Sequence, residues 1–401
     1  MSTTPLKGLR VLEFSHAVMG PTAGLVLADL GADVIKVEPG PRGDVTRYLG
    51  GFAAGFFAGF NRNKRSVAID LKQPDGQAAL HKLAATADVV LENYGPGTME
   101  RLGCGYAALA EINPRLVYLA LKGYLNGPYE RRPALDEVVQ FQAGLAYMTG
   151  PPGRPLRAGA SIIDILGAVF GVIAVQAALR ERDQTGQGQR VSSALFESAV
   201  FVMSTQMAGI AITGQPMPPM PARRGAWGIY DVFETQGGGL FIGVTSDQQW
   251  ARFTDEFGLQ ALAADPRLAD NVKRVGERSW LISAIAEVLA KMSKADVEQR
   301  CERAHVSWAP VGTPMDLFAD AHLLASNGLL DVAIASAGGG AGRTAKLPNM
   351  PLEFGAERER VTLRRQPPTV GQHNVEVLLA AGVSQAEIQR LTERGILVSV
   401  T

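Results

Sequence analysis

One carboxylate interrupts a long apolar segment near the middle of the chain. Asp164 lies between Ile163 and Ile165, inside residues 162 to 179, which are almost wholly apolar. A carboxylate partly removed from water is a stronger nucleophile toward an activated acyl group and can form a covalent intermediate. The same side chain could instead cap the start of an apolar helix by accepting backbone N–H hydrogen bonds. The two roles are compatible.

Basic side chains cluster early in the chain and could bind an anionic ligand. Arg42 and Arg47 are followed by the segment NRNKR at residues 61 to 65 and then by Lys72. An arginine offers two parallel donors to a phosphate, whereas a lysine offers a point charge. The alternative is a solvated basic surface.

Four further residues could carry chemistry. His16 lies in a loop before Gly20 and Pro21 and is either structural or catalytic. Tyr94, in the segment ENYGPG, follows a predicted strand, where an open sheet places its ligands. Arg223 and Arg224 could hold the second carboxylate of a dicarboxylic acid, or could be an exposed pair in a linker.

The elements that must position these residues alternate between strand and helix. Apolar runs predict strands at residues 9–14, 33–37, 66–70, 89–92 and 116–121, with helices at residues 22–30, 74–86 and 99–110. This alternation predicts an α/β fold with an open, mostly parallel, Rossmann-like sheet. The first loop lacks the three-glycine fingerprint of dinucleotide binding, which disfavours a nicotinamide cofactor.

Composition shifts predict a large domain that contains a smaller one. Four prolines in the segment GQPMPPMPARR predict a linker over residues 214–227. Residues 1–213 and 331–401 are then the large domain, and residues 228–330 a small α+β domain. Within the small domain, a hairpin at 228–233 and 240–245 precedes helices near 247–257, 278–291 and 294–305. The glycine-rich residues 335–342 predict a flexible connection, and residues 375–397 a helical tail.

Composition and charge exclude several classes of function. The 401 residues carry a formal net charge of +0, so the sequence lacks the net positive charge that is typical of proteins that bind nucleic acid or an anionic membrane. Cys104 and Cys301 lack metal-ligand spacing, so no metal site is expected. The chain start shows no signal peptide, and residues 162–179 are predicted to be a buried core helix, so we expect a cytoplasmic protein without a membrane span.

Five ordered motifs resemble those of the class III CoA-transferases, the family that includes formyl-CoA transferase and the acyl-CoA racemases. They are LADLGADVIKVEPG, NRNKRSVAIDLK, ENYGPGTMERLG, PLRAGASIIDILG and TGQGQRV. The resemblance implies a Rossmann-like large domain, a smaller domain and two intertwined chains in a homodimer. It also implies acyl-CoA and a free carboxylic acid as substrates, with no metal or redox cofactor.

The resemblance implies a role for individual residues. Asp164 matches the aspartate that attacks the acyl-CoA thioester, forms a mixed anhydride and then becomes an aspartyl-CoA thioester. Other family matches are predicted to bind CoA (His16, Ala17, Val18, Lys72 and Arg101) or to line the substrate pocket (Lys122, Asp136 and Glu137). The residue types and positions described above add Arg42 and Tyr94 to the predicted CoA site and Arg223 and Arg224 to the predicted substrate pocket.

Two departures from the family pattern bear on the substrate. Ala134-Leu135-Asp136 stands where racemases have Gly-His-Asp, so the histidine that would exchange the α-proton is absent and racemisation is disfavoured. Residues 222–228 (ARRGAWG) lack the glycine run of formyl-CoA transferases, which favours a larger acid. The segment from Leu121 to Gln140 is most similar to transferases for C4 and C5 dicarboxylates such as mesaconate, itaconate or citramalate. The alternatives are a 2-methylacyl-CoA racemase and a non-catalytic CoA-binding subunit.

Overall fold

The computed structural model describes residues 4–222, 225–334 and 342–399. Two compact units make up the chain. The larger unit contains Met1–Pro221 and Ala321–Thr401, and the smaller contains Ala222–Asp320. Because residues 335–341 lie outside the described residues, the predicted flexible connection there is not described.

A six-stranded sheet forms the centre of the larger unit. Its strands run parallel in the order β3-β2-β1-β4-β5-β6. They are β1 (Arg10–Phe14), β2 (Asp33–Glu38), β3 (Arg65–Ala68), β4 (Val89–Glu92), β5 (Val117–Lys122) and β6 (Arg190–Ala194). The predicted open parallel sheet is therefore confirmed. The sequence reading missed β6, whose polar residues lie at an edge of the sheet and lack a continuous apolar run.

Within residues 4–222, the larger unit contains ten α-helices. They are α1 (Met19–Asp29), α2 (Phe56–Phe60), α3 (Pro74–Ala84), α4 (Thr98–Arg101), α5 (Tyr106–Ile112), α6 (Asp136–Gln142), α7 (Leu145–Thr149), α8 (Ile162–Thr185), α9 (Leu195–Val202) and α10 (Ser204–Thr213). The helix predicted over residues 99–110 is instead split into α4 and α5, because Gly103 adopts a left-handed φ of +69° between them.

The smaller unit has its own sheet and core. Strands β7 (Ile229–Thr235), β8 (Gly238–Val244) and β9 (Ser307–Pro310) pair antiparallel in that order. Its helices are α11 (Asp247–Glu256), α12 (Gln260–Ala263), α13 (Asn271–Gly276), α14 (Arg278–Leu289) and α15 (Lys294–Ala304). The predicted hairpin and the helices near residues 247, 278 and 294 are confirmed.

The chain then returns to the larger unit. Its last elements are α16 (Ala321–Ala325), the antiparallel pair β10 (Leu329–Ile334) and β11 (Arg343–Pro348), the short pair β12 (Glu353–Phe354) and β13 (Glu359–Arg360), α17 (Asn374–Ala380) and α18 (Gln385–Glu393). The predicted helical tail corresponds to α17 and α18.

Helices cover both faces of the six-stranded sheet. On β1, Val11 packs into a buried cluster with residues of α1 and α8, whereas Leu12 and Phe14 pack into a second cluster with residues of α3, α17 and α18. Successive strand residues point to opposite faces, so strands covered on both sides must be apolar throughout. Residues at or just after the carboxyl ends of β1, β4 and β5 line a cavity.

Helix α8 is only half-buried. Ile163, Val172 and Val175 face the sheet, while Ile162 and Ile173 are 44% and 57% exposed. The helix is long and apolar enough to span a bilayer by length and composition. The prediction of a buried core helix holds for one face, and the other leaves an apolar surface.

Candidate active site

A cavity of about 700 Å³ opens at the carboxyl ends of β1, β4 and β5. Parallel sheets bind their ligands at this end, and the volume suits a small-molecule site. The structure brings eight of the sequence-predicted residues together in its lining: His16, Ala17, Val18, Tyr94, Lys122, Asp136, Glu137 and Asp164. Arg223 and Arg224 lie outside the described residues.

Asp164 lies in the first turn of α8, where its carboxylate borders the cavity. Burial, and then the negative charges of Asp136 and Glu137, raise the pKa of the Asp164 carboxyl to about 7. Within residues 4–222, 225–334 and 342–399, this carboxylate accepts no hydrogen bond and forms no ion pair. It is therefore a poorly solvated carboxylate near its titration midpoint at neutral pH.

The cap of α8 is provided by another residue. Asp136 Oδ2 accepts hydrogen bonds from the backbone N–H groups of Ile163, at 2.7 Å, and of Asp164, at 2.9 Å. Ser161 stands at the N-cap position without a side-chain cap hydrogen bond. The interpretation of Asp164 as the helix cap is therefore wrong, because Asp136 already occupies the N–H groups of the first turn.

A polar chain holds Asp136 in place. Its Oδ1 accepts a hydrogen bond from the Gln140 side-chain amide, whose oxygen accepts the backbone N–H of Ala158 at 2.9 Å. In this hydrogen-bond network, both oxygens of Asp136 and the amide oxygen of Gln140 accept from a donor, so Asp136 is fixed as an acceptor on both oxygens. Asp136 is buried, whereas Glu137 pairs with Arg157 at 3.5 Å.

The loop after β1 forms the opposite wall of the cavity. Ala17 has a φ of +61°, a left-handed conformation that is unusual for a residue with a side chain. Asn93 holds this conformation from both sides of His16: its Oδ1 accepts the His16 N–H at 3.0 Å, and its Nδ2 donates to the His16 carbonyl at 2.9 Å. The sequence reading missed Asn93, although it is the first residue after β4.

His16 and Tyr94 stack with their ring centroids 5.4 Å apart. Desolvation of the imidazole lowers the pKa of His16, so the ring is neutral at pH 7. Burial raises the pKa of Tyr94 to about 12 and keeps its hydroxyl protonated. The pair therefore presents an uncharged, largely apolar wall.

Two fully buried lysines anchor the ends of this loop. Lys36 Nζ donates to the Ser15 carbonyl at 2.8 Å, and Lys64 Nζ donates to the Pro21 carbonyl at 2.9 Å. Both ammonium groups pair with Glu13, at 3.2 Å and 2.8 Å. The loop thus rests on charged groups that are shielded from water.

Asp44 completes this buried ion cluster of Glu13, Lys36, Asp44 and Lys64, with Lys36 Nζ 2.9 Å from its carboxylate. Burial opposes the charge of both lysines. The two carboxylates nevertheless raise the pKa of Lys36, whereas burial lowers the pKa of Lys64 to about 8. The charged form of Lys36 is therefore more strongly stabilised than the charged form of Lys64.

The predicted basic patch at residues 61–65 is neither a solvated surface nor a phosphate site. All five residues are buried, and their charges are used internally. Arg62 pairs with Asp29 at 2.7 Å, and Arg65 pairs with Asp33. Buried cations need such partners, and the sequence did not reveal which carboxylates would supply them.

A second cavity, of about 390 Å³, adjoins the first. Lys72 and Arg101 line it together with the apolar side chains of Phe14 and Ile69. Tyr94 lines both cavities, so one extended ligand could pass beside its ring. Two cations at one end and a carboxylate at the other suit a ligand with phosphates at one end and an acyl group at the other.

Arg42 and Lys122 have other surroundings. Arg42 is absent from the linings of these two cavities and lies over the Tyr48 ring, with its guanidinium carbon 5.0 Å from the centroid. Lys122 borders the main cavity, but its ammonium pairs with Glu92. Burial raises the pKa of Glu92 even against this lysine.

Comparison with known proteins agrees with the motifs. A sequence model of CoA-transferase family III matches residues 6–374. The chain is 33% identical to succinate–glutarate CoA-transferase of Agrobacterium fabrum, over 93% of this chain and 95% of that protein. It is also 33% identical to acetyl-CoA:oxalate CoA-transferase of Acetobacter aceti, over 80% of this chain and 83% of that protein.

The fold also agrees with a solved structure. A CAIB/BAIF family protein from Brucella suis superposes with a TM-score of 0.83 at 30% identity, covering 95% of this chain and all of that one. The predicted family resemblance is thereby confirmed.

Proposed function

This chain belongs to CoA-transferase family III, and we propose that it moves CoA from an acyl-CoA to a C4 or C5 dicarboxylic acid through covalent intermediates on Asp164. One observation supports this most strongly. The Asp164 carboxylate borders the main cavity without a hydrogen bond or an ion pair among the described residues. Such a carboxylate has little solvation to lose when it attacks.

The first half of the proposed reaction transfers CoA to the enzyme. An Asp164 oxygen attacks the thioester carbonyl carbon, the C–S bond breaks, and a mixed anhydride and CoA thiolate result. The thiolate then attacks the Asp164 carboxyl carbon. The donor acid leaves as its carboxylate, and an aspartyl-CoA thioester remains.

The second half reverses these steps with the acceptor. The acceptor carboxylate attacks the aspartyl thioester and displaces CoA thiolate, which gives a new anhydride. The thiolate attacks the acceptor's acyl carbon and releases Asp164 as a carboxylate. Bonds, charge and electrons balance without a metal or redox cofactor, so we propose that none is needed.

CoA is proposed to extend across both cavities. Its phosphate-bearing end is assigned to the cavity of Lys72 and Arg101, and its thioester to the cavity of Asp164. The neutral His16–Tyr94 pair would pack beside the connecting chain and exclude water. Exclusion of water matters because an anhydride hydrolyses readily.

A homodimer is part of the proposal. Large apolar side chains remain exposed on α8, α9 and α10, and a contiguous surface of this kind is typical of a protein interface. The exposed residues are Ile162, Ile165, Val169, Ile173, Phe201, Met207, Ile210 and Ile212. A monomeric mass in solution would contradict this part. We further propose a cytoplasmic location.

The racemase alternative has less support. Leu135 lines the cavity where racemases of the family carry a histidine, and an alkyl group cannot exchange a proton. Among the described residues, His16 supplies the one imidazole in this lining. Incorporation of solvent deuterium at the α-carbon of a 2-methylacyl-CoA, without an acceptor acid, would restore this alternative.

The proposal is tested by mass spectrometry of CoA exchange. The purified protein is mixed with succinyl-CoA and a panel of acids: mesaconate, itaconate, citramalate, glutarate and oxalate. New acyl-CoA masses are expected with wild type and should vanish with Asp164→Ala. Asp183→Ala is the matched control, because Asp183 is an exposed aspartate near the other end of α8 and its loss should leave exchange unchanged. Exchange by Asp164→Ala would disprove the mechanism.

A further inference from the structure

Three basic side chains among the described residues line the cavity of Asp164, and they differ in availability. They are His16, Lys122 and Arg132. The imidazole of His16 is neutral at pH 7, since desolvation lowers its pKa. Lys122 is paired with Glu92. Arg132 forms no ion pair within the described part of the chain.

The guanidinium of Arg132 is held by its face. Its central carbon lies 3.9 Å from the centroid of the Tyr129 ring, and the Arg132 backbone N–H donates to the Tyr129 carbonyl at 2.8 Å. Tyr129 in turn meets the edge of Tyr124, whose hydroxyl donates to Gln142 at 2.7 Å. Stacking uses the face of the guanidinium and leaves its edge N–H groups free for a planar anion.

Carboxylates outnumber the cations Lys122 and Arg132 in the lining of this cavity. Glu130, Asp136 and Glu137 line it in addition to Asp164. A dicarboxylate that entered with one carboxylate against Asp164 would carry its second charge into this negative field. A free guanidinium offers two parallel N–H donors, the geometry that a carboxylate prefers.

We propose that Arg132 binds the distal carboxylate of the acid and thereby selects dicarboxylates over monocarboxylates. This inference rests on the proposed transferase function and adds a specificity-determining residue to it. Arg223 and Arg224, predicted for this task from the sequence, lie outside the described residues, whereas Arg132 borders the same cavity as Asp164.

The neighbouring residue offers a matched control. Arg131 is exposed like Arg132, but it lines a neighbouring cavity with Arg101 and Arg190 and is absent from the lining of the Asp164 cavity. Loss of its charge changes the local net charge as much as loss of Arg132 does. If replacement of Arg132 alone changes the choice of acid, the cause is therefore direct contact with the acid rather than a general change in the local electrostatic potential.

The test compares two acceptors of equal chain length, glutarate and pentanoate, with succinyl-CoA as the fixed donor. For Arg132→Gln, kcat/KM for glutarate should fall about tenfold to hundredfold, the loss expected for hydrogen bonds to a charged group. The value for pentanoate should change less than about threefold, and Arg131→Gln should leave both unchanged. Arg132→Lys should lie between wild type and Arg132→Gln.

The outcomes separate the two proposals. An equal loss for both acids, no loss, or a wild-type preference for pentanoate would overturn the role of Arg132 while leaving the transferase intact. If Arg132→Gln fails to fold, Arg132→Lys decides: a selective loss for glutarate supports the proposal, and unchanged selectivity refutes it. Failure of wild type to transfer CoA to any acid would overturn the transferase proposal, and the Arg132 inference would fall with it.

Discussion

The carboxylate of Asp136 accepts the backbone N–H of Asp164, so two negative side chains meet at the first turn of α8. One aspartate caps the helix, and the other faces the cavity without a hydrogen-bond partner among the described residues. The capping charge also opposes ionisation of its neighbour. The helix terminus is thereby stabilised and the proposed nucleophile is kept easy to protonate.

The first prediction concerns the pH dependence of wild type. Asp164 must be ionised to attack, and its pKa is raised to about 7. We expect kcat/KM for acyl-CoA to rise with pH and to level off above about 8, with an apparent pKa near that of the free enzyme's carboxyl. Measured rates from pH 5 to 9 check this. A flat profile over this range would contradict the raised pKa.

The second prediction concerns Asp136→Asn. Loss of the neighbouring negative charge should lower the pKa of Asp164, so the rise in kcat/KM should move to lower pH by about 0.5–1 unit. The amide oxygen can still accept a backbone N–H, so the helix keeps part of its cap. Glu137→Gln, which removes a charge with a smaller influence on Asp164, should shift the profile less. Equal shifts would mean that distance to Asp164 does not matter.

The third prediction concerns stability. Asp164 has a higher pKa in the folded chain than its usual 3.8, so its contribution to stability is present below about pH 4 and is lost as pH rises through about 7. Asparagine does not ionise, so the Asp164→Asn variant does not lose this stability as the pH rises. We expect a gain of about 1–3 kcal/mol in the free energy of unfolding at pH 8, measured with urea, and no gain at pH 4. Less stable Asp164→Asn protein at pH 8 would refute this.

The fourth prediction concerns the strained loop residue Ala17. A β-branched side chain is disfavoured at its φ of +61°, so Ala17→Val should lower the free energy of unfolding by about 1–2 kcal/mol and raise KM for acyl-CoA. Glycine adopts this conformation freely, so Ala17→Gly should keep wild-type KM. Thermal melts and initial rates of the two variants test this prediction. Wild-type stability and KM in Ala17→Val would contradict it.

The fifth prediction concerns the buried ion cluster. Lys64→Met removes the cation next to Glu13 and leaves the Pro21 carbonyl without its donor, so we expect a loss of about 3–5 kcal/mol in the free energy of unfolding. Lys82→Met is the control, because Lys82 pairs with Glu387 near the surface and should contribute less than about 1 kcal/mol. Similar losses would show that Lys64 is not effectively buried.

Much of the architecture could be predicted from local pattern. Apolar runs of strand length that alternate with amphipathic segments predicted five of the six strands, and the strands share one parallel sheet. The apolar run at residues 162–179 predicted the helix that carries Asp164, and the predicted strand at residues 89–92 placed Tyr94 just after β4. These features depend on residues close together in sequence, where period and turn chemistry are informative.

The sequence by itself therefore determined the class of fold, the family and the identity of the candidate carboxylate. Only the tertiary structure decided which charges are buried and paired. Glu13 lies on β1 and Lys64, 51 residues away, directly precedes β3; they meet because both strands belong to one sheet with β2 between them. Asp136 reaches α8 across 28 residues. Local sequence cannot specify such partners, because a charged residue reads alike in solvent and in a buried pair. The contacts that distinguish these cases form only when distant segments pack together.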